Sequence, residues 1–290
     1  MQIRRPIVAG QFYPANRVSC IDEIKQCLKE KSVRGSLPET IVAGIVPHAG
    51  WAFSGALAAL VFSAVKERHE KVDTFCIFGA AHGYFGQVPA VYSTGSWTTP
   101  LGQADVDEDL ARALLDTGQA VSGLDAHGSE HSIEVQVPFI QHLFADAKIL
   151  PILVAPNERA ISLGEAVGAI ISSAEKKVVC IGSTDLTHYG PRYGFTPMGV
   201  GSNAFDWASR VNDQLFIDAA VGLEPKALLA GAAENYNACG PGAAAATVTV
   251  AKKLGKTNGV LLAHTDSNEI MLEKMRTSST ESVGYAAIVF

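Results

Sequence analysis

Short apolar runs recur along the chain, each closing on small or polar residues, at positions 41–46, 72–78, 149–154, 178–181, 260–263 and 283–289. Few of these positions are charged. A strand with one wet face alternates apolar and polar residues, so near-continuous apolar runs mark strands covered on both faces, as in parallel sheets. Between them lie stretches of helical character at 55–67, 108–117, 161–175, 203–220 and 242–254. The alternation predicts an α/β layer structure with a largely parallel central sheet flanked by helices. The sequence shows no internal repeat, low-complexity tract or Pro/Ser-rich linker, and residues 1–290 are read as a single domain.

Polar residues at the strand ends carry the functional reading, because open α/β sheets bind ligands beyond the carboxyl ends of their strands. Run 41–46 leads into Pro47-His48-Ala49-Gly50 and run 72–78 into Gly79-Ala80-Ala81-His82-Gly83. Run 178–181 leads into Gly182-Ser183-Thr184-Asp185-Leu186-Thr187-His188-Tyr189-Gly190. Each of these strands thus delivers a histidine soon after its end, among small residues that let backbone or ligand approach closely. His48 and His82 are expected to share a metal ion, since imidazole is the commonest ligand side chain and suits Fe, Cu and Zn. Asp185 and His188 would meet on one face if their loop turns helically. They would then act as ligands, as a carboxylate orienting an imidazole, or as a general base with its partner. The plainer alternative is an Asx-type turn.

Cys239 lies in Asn237-Ala238-Cys239-Gly240-Pro241-Gly242, just before the small-residue run that opens a helix. The positive end of a helix lowers a thiol's pKa, so a thiolate acting as metal ligand or nucleophile is expected there. Cys20, Cys27, Cys76 and Cys180 read as packing residues. The polar segment 125–134 precedes an apolar stripe at Ile133, Val137, Ile140 and Phe144. A helix capped by Ser129 is expected, with His131 and Glu134 on its first turn facing the cleft and a kink at Pro138. His127 and His142 are expected at the surface, and His69 and His264 have no neighbours that suggest a role.

Composition narrows the choice of function. Net charge is -6, and no Lys/Arg block exceeds two residues, so the basic footprint of a nucleic-acid binder is missing. No apolar run reaches the roughly 18 residues needed to cross a bilayer. The first residues carry no apolar leader core, which points to the cytoplasm rather than a membrane. Five widely spaced cysteines without a C-x-x-C pair argue against a disulfide framework and a structural zinc clip.

With these motifs in place, the chain resembles the Memo family, the Memo-like proteins also called AmmeMemoRadiSam system protein B. The likeness runs nearly end to end. It is carried by Arg5-Pro6-Ile7-Val8-Ala9-Gly10-Gln11-Phe12-Tyr13-Pro14, Val46-Pro47-His48-Ala49-Gly50-Trp51 with Ser54-Gly55, and Glu130-His131-Ser132-Ile133-Glu134-Val135-Gln136-Val137-Pro138-Phe139. Ser183-Thr184-Asp185-Leu186-Thr187-His188-Tyr189-Gly190 and Cys239-Gly240 complete it.

The resemblance implies the three-layer fold of the class III extradiol dioxygenase catalytic subunit (LigB-like), in which two histidines and a carboxylate hold non-haem Fe(II). In Memo proteins a cysteine stands at the carboxylate position. By motif, His48, His82 and Cys239 are then the metal set, and His188, Asp185 and His131 the catalytic candidates around it. Glu134, Tyr189 and Trp51, in the same motif blocks, are the expected pocket wall. Fe(II) is the implied cofactor, with Cu or Zn as alternatives because a thiolate is softer than a carboxylate. Functional partners of the AMMECR1-like and radical SAM families are implied, and no substrate is. Two departures stand out: Gly-Ala-Ala precedes His82 where relatives often have Gly-Pro-Asn or Gly-Pro-Ser, and Gly240-Pro241-Gly242 lacks the Arg that commonly follows Cys-Gly. The leading expectation is a metal-dependent, dioxygenase-like oxidoreductase. A Cys-His nucleophilic enzyme and a non-catalytic module binding a peptide or small ligand in a vestigial cleft are the alternatives.

Overall fold

The computed structural model describes residues 2–32 and 36–290. In chain order the strands are β1 (Ile3–Arg4), β2 (Ala43–Val46), β3 (Thr74–Gly79), β4 (Ala90–Val91), β5 (Ser96–Thr99), β6 (Gly102–Asp105), β7 (Val121–Ser122), β8 (Lys148–Leu153), β9 (Val178–Ser183), β10 (His188–Tyr189), β11 (Val260–Asp266) and β12 (Ser282–Val289). The α-helices are α1 (Arg17–Glu30), α2 (Trp51–Arg68), α3 (Glu108–Asp116), α4 (Val137–Leu143), α5 (Arg159–Ser173), α6 (Ser202–Trp207), α7 (Asp213–Val221), α8 (Pro225–Asn235), α9 (Pro241–Lys253) and α10 (Ser267–Ile270).

Among the described residues the main sheet runs β10-β12-β2-β9-β3-β8-β4-β7, with β11 beside β12. Its middle, β2-β9-β3-β8, is parallel, as the apolar runs predict. The flanks differ. β12 lies antiparallel to β2 and β11, and β4 antiparallel to β8, so the sheet is mixed rather than largely parallel. Residues 267–281 join β11 to β12 and carry α10, so the connection is long enough for either direction and its length does not decide the antiparallel pairing. A second, small sheet, β1-β5-β6, ties the N-terminal segment to the body. Neither it nor α8 announces itself in the apolar pattern.

Side chains alternate faces along a strand, and here the alternation divides the core in two. Phe75 and Ile77 of β3 and Val179 and Ile181 of β9 pack toward α1, α2 and α4. Cys76, Phe78, Val178 and Cys180, one position out of phase, pack toward α3, α5, α7, α8 and α9. Helices therefore cover both faces, and burying each phenylalanine contributes about 2 kcal/mol. Helix α9 sits unusually close to the sheet. A Cβ on Gly182 would come within 2.3 Å of Thr247 Oγ1, and one on Gly164 of α5 within 2.6 Å of Thr249 Cβ. Those two glycines set the depth of α9, and with it the position of Cys239 at its N-terminal side.

Two helical expectations change. The stretch expected as one helix at 203–220 is interrupted by a π-turn at Ala208–Asn212, which aims Asn212 inward at Thr187 Oγ1 (3.0 Å). Segment 125–134 does not become a Ser129-capped helix. It holds 3-10 turns at Asp125–His127 and Glu134–Gln136, and α4 begins only at Val137. Pro138 sits in the first turn of α4, where its missing N–H has no intrahelical partner to lose, so it starts the helix instead of kinking it.

Candidate metal centre

Three neighbouring parallel strands, β2, β9 and β3, end at one edge, and their following loops build the centre. His48 follows β2 and His82 follows β3, while β9 between them ends on Ser183. The Ser183 hydroxyl donates to Ser132 O (2.8 Å), so it accepts from Gln136 Nε2 (3.2 Å) and from His48 Nδ1 (3.0 Å). His48 is thereby fixed with its proton on Nδ1 and a lone pair on Nε2. Burial, with His82 and His131 close by, pushes its pKa well down and keeps the ring neutral.

His82 is held differently. The Glu130 carboxylate accepts from His82 N (3.0 Å), from His82 Nδ1 (3.1 Å) and from Ser132 N (2.8 Å). Burial alone would push the pKa of Glu130 up, but the His82 bond and charge and the Ser132 amide outweigh it and bring it down to about 2. Burial likewise opposes charge on His82, yet Glu130 prevails and its pKa is raised. Again Nδ1 is engaged and Nε2 is left free. His131, beside Glu130, completes the group: burial lowers its pKa against the attraction of Glu130.

One ligand atom from each of His48, His82 and His131 lies within 4.8 Å of the others. Ring centroids are 5.0–5.4 Å apart, and the His82 and His131 rings stack. The sulfur of Cys239 is 3.2 Å from His48 Nε2. It is drawn there by Cys239 N donating to Asp185 O (3.2 Å), Asp185 N donating to Sγ (3.3 Å) and Gly240 N donating to Thr184 Oγ1 (2.9 Å). The expected pair of imidazoles therefore converges and Cys239 lies against one of them, but the third nitrogen in the cluster comes from His131. The expected thiolate is not favoured by the protein alone. Burial and the nearby Asp185 carboxylate raise the thiol's pKa, overriding the helix end.

The donor set fits a transition metal. Its donors are imidazoles, two of them tied through Nδ1 to a hydroxyl or a carboxylate in the way that orients ligand histidines. First-row metal–nitrogen bonds are ~2.0–2.1 Å, so rings with nitrogens within 4.8 Å close on an ion by small side-chain rotations.

Asp185 and His188 both line the adjoining cavity of about 540 Å³, but they do not form a pair. Their loop does not turn helically: His188 opens β10, and its Nδ1 lies 2.9 Å from Leu186 O. Asp185 Oδ1 accepts from His48 N at 2.7 Å, and burial raises its pKa against the pull of His188 and the His48 amide. Gln11, Phe12, Phe53, Arg192, Tyr193 and Tyr285 supply much of the remaining wall. Arg192 thus lines the cavity although no Arg closely follows Cys239.

Three residues expected on the wall lie elsewhere. Glu134 accepts from Ile7 N (2.9 Å), Val8 N (3.0 Å), Tyr13 Oη (2.9 Å) and Arg4 Nη1 (2.7 Å), facing the N-terminal segment. Trp51 is buried between Tyr13 and Phe139, its Nε1 donating to Val135 O (3.1 Å). Tyr189 is fully buried, donating to Gly199 O (2.9 Å). His127, expected at the surface, is buried with Nε2 on Ala90 O (3.1 Å), and His264 pairs with Asp213 (2.9 Å). Sequence reading missed Glu130 and Arg4. Glu130 stands beside His131 in the densely polar stretch, which was a usable signal. Arg4 donates to His127 O (2.9 Å) and Glu130 O (2.6 Å) from more than 120 residues away, and no local pattern marks it.

Fold and site together define an α/β protein with a mixed, helix-covered sheet and a histidine cluster able to hold a metal at the carboxyl ends of its parallel strands. The family model described as "Memo-like protein" matches residues 4–289. A MEMO1 family protein of Thermococcus onnurineus is 35% identical over 298 residues, covering 99% of each chain, and one of Methanosarcina barkeri is 36% identical over 292 residues with the same coverage. A MEMO1 family protein of Methanopyrus kandleri is 34% identical over 299 residues, covering 99% of this chain and 98% of its own. The chain belongs to the Memo family.

Proposed function

We propose that the protein is a metal-dependent oxidoreductase on a LigB-like fold, in which His48, His82 and His131 hold Fe(II), or else Cu or Zn, with the Cys239 sulfur as a further donor. One observation supports this above the rest: three imidazole donors lie within 4.8 Å of one another, two of them oriented through Nδ1 by Ser183 and Glu130. A bound metal would supply redox or Lewis-acid chemistry through the coordination positions its protein donors leave open. The remaining roles fall to the chain itself. The 540 Å³ cavity receives a small organic substrate, with Phe12 and Phe53 as apolar wall and Arg192 as a cation. His188, with Nδ1 occupied by Leu186 O, exchanges protons through Nε2, and Asp185 fixes the His48 backbone beside the cluster.

Metal analysis of anaerobically purified protein tests the proposal. About one equivalent of a transition metal in the native protein and under a tenth in His48→Ala is the expected result. Metal-free native protein that keeps its cellular role would instead favour a non-catalytic binding module.

A further inference from the structure

Cys239 stands between two cavities, its sulfur turned toward one of them. On one side it meets His48 Nε2 at 3.2 Å, at the edge of the histidine cluster. On the other it lines a separate cavity of about 250 Å³, together with His188, Tyr193, Phe195, Ala232 and Tyr236. Cys239 is absent from the wall of the larger cavity, and Phe12, Phe53 and Arg192 are absent from the smaller. His188 and Tyr193 belong to both and form the partition, their rings edge to face at 5.1 Å. The smaller cavity's outer wall is the Phe195–Tyr236 contact, with centroids 5.5 Å apart. None of the described residues lining it is an Asp, Glu, Lys or Arg.

An aromatic and alanine lining without formal charge disfavours an ion or a zwitterion, since a charge entering it would lose water and gain no partner. It suits a small uncharged molecule, which enters without giving up the hydration of a charge. We propose that this cavity is a second access route, separate from the substrate cavity, by which a small uncharged molecule of the size of dioxygen reaches the Cys239 sulfur and the face of the cluster behind it. That the molecule is dioxygen rests on the oxidoreductase reading. The route itself does not.

The test uses metal-free full-length protein and methyl methanethiosulfonate, a small neutral thiol reagent, with the modified cysteine located by peptide mass spectrometry. Cys20, Cys27, Cys76 and Cys180 are buried, so reaction at Cys239 is read separately. Ala232→Phe, filling the small cavity, is expected to slow modification of Cys239 at least tenfold, whereas Phe53→Trp, narrowing the large cavity, leaves it within twofold. Tyr236→Gly, at a backbone φ of +53° that glycine adopts without strain, opens the outer wall and is expected to speed it. Crystals under xenon pressure should show an anomalous peak against Phe195 that Ala232→Phe removes. An unchanged rate in both Ala232→Phe and Tyr236→Gly overturns the route, as does equal slowing by Phe53→Trp. If these results hold but the native protein binds no metal, the oxidoreductase reading fails and the access route stands.

Discussion

Glu130→Gln keeps the shape of the side chain that orients His82 and removes its charge. The carboxylate is 1% exposed and accepts from two atoms of His82 and from Ser132 N, so nearly all of its solvation is supplied by these groups. Its pKa falls from the ordinary 4.5 to about 2 on folding. At 1.36 kcal/mol per unit that difference is about 3 kcal/mol, which solvent around the 37% exposed His82 ring trims to about 2 kcal/mol. The pKa is lower in the folded state, so this stability is fully present above pH 4.5 and is lost as pH falls from there through about 2. Two further consequences follow. His82 loses the main partner that raises its pKa, so in metal-free protein its ring titration, followed by NMR, should move below the ordinary value, since burial then outweighs the remaining attraction of Asp185. Loss of an orienting carboxylate typically weakens metal binding about 10–100-fold, measurable by competitive titration with a chromogenic chelator. Metal affinity within twofold of native together with an unmoved His82 titration would refute the view that Glu130 organises this centre.

Other expectations follow from the same structure. His127 is buried with its pKa lowered from 6.5 to about 4, so the unfolded chain takes up its proton first; stability should fall by up to about 3 kcal/mol as pH drops from 6.5 to 4. Urea denaturation across that window should show the slope flattened in His127→Gln. Arg4→Met takes the counter-charge from the buried Glu134 carboxylate, which keeps only Ile7 N, Val8 N and Tyr13 Oη, and removes a donor from the carbonyls of His127 and Glu130, at a cost of about 3–5 kcal/mol by chemical denaturation. Gly182→Ala drives a Cβ to 2.3 Å from Thr247 Oγ1 and 3.0 Å from Ala243 O; a loss of about 1–3 kcal/mol is expected, and any shift of α9 that relieves the clash should alter the thiol reactivity of Cys239.

The sequence by itself determined the parallel centre of the sheet, because strands buried on both faces must be apolar throughout, and that pattern is local. It also located His48, His82 and Cys239, since a residue just past a parallel strand or just before a helix is placed by the element it adjoins. The flanks of the sheet were not legible: the apolar runs at 260–263 and 283–289 read like the middle strands, and their antiparallel course is set only in three dimensions. Which members of a polar cluster face inward was likewise decided in three dimensions. Glu130, His131 and Glu134 lie within five positions of one another, yet Glu130 and His131 serve the histidine cluster while Glu134 turns to Arg4, Ile7, Val8 and Tyr13. A 3-10 turn in place of the expected helix changes where each side chain points, and the partners that hold Glu134 come from over 120 positions away, while those of Glu130 are His82 and Ser132. Cys239 gives the same lesson in energies. The helix end that favours a thiolate is written in the local sequence, but the burial and the Asp185 carboxylate that oppose it exist only once distant loops have closed around the sulfur.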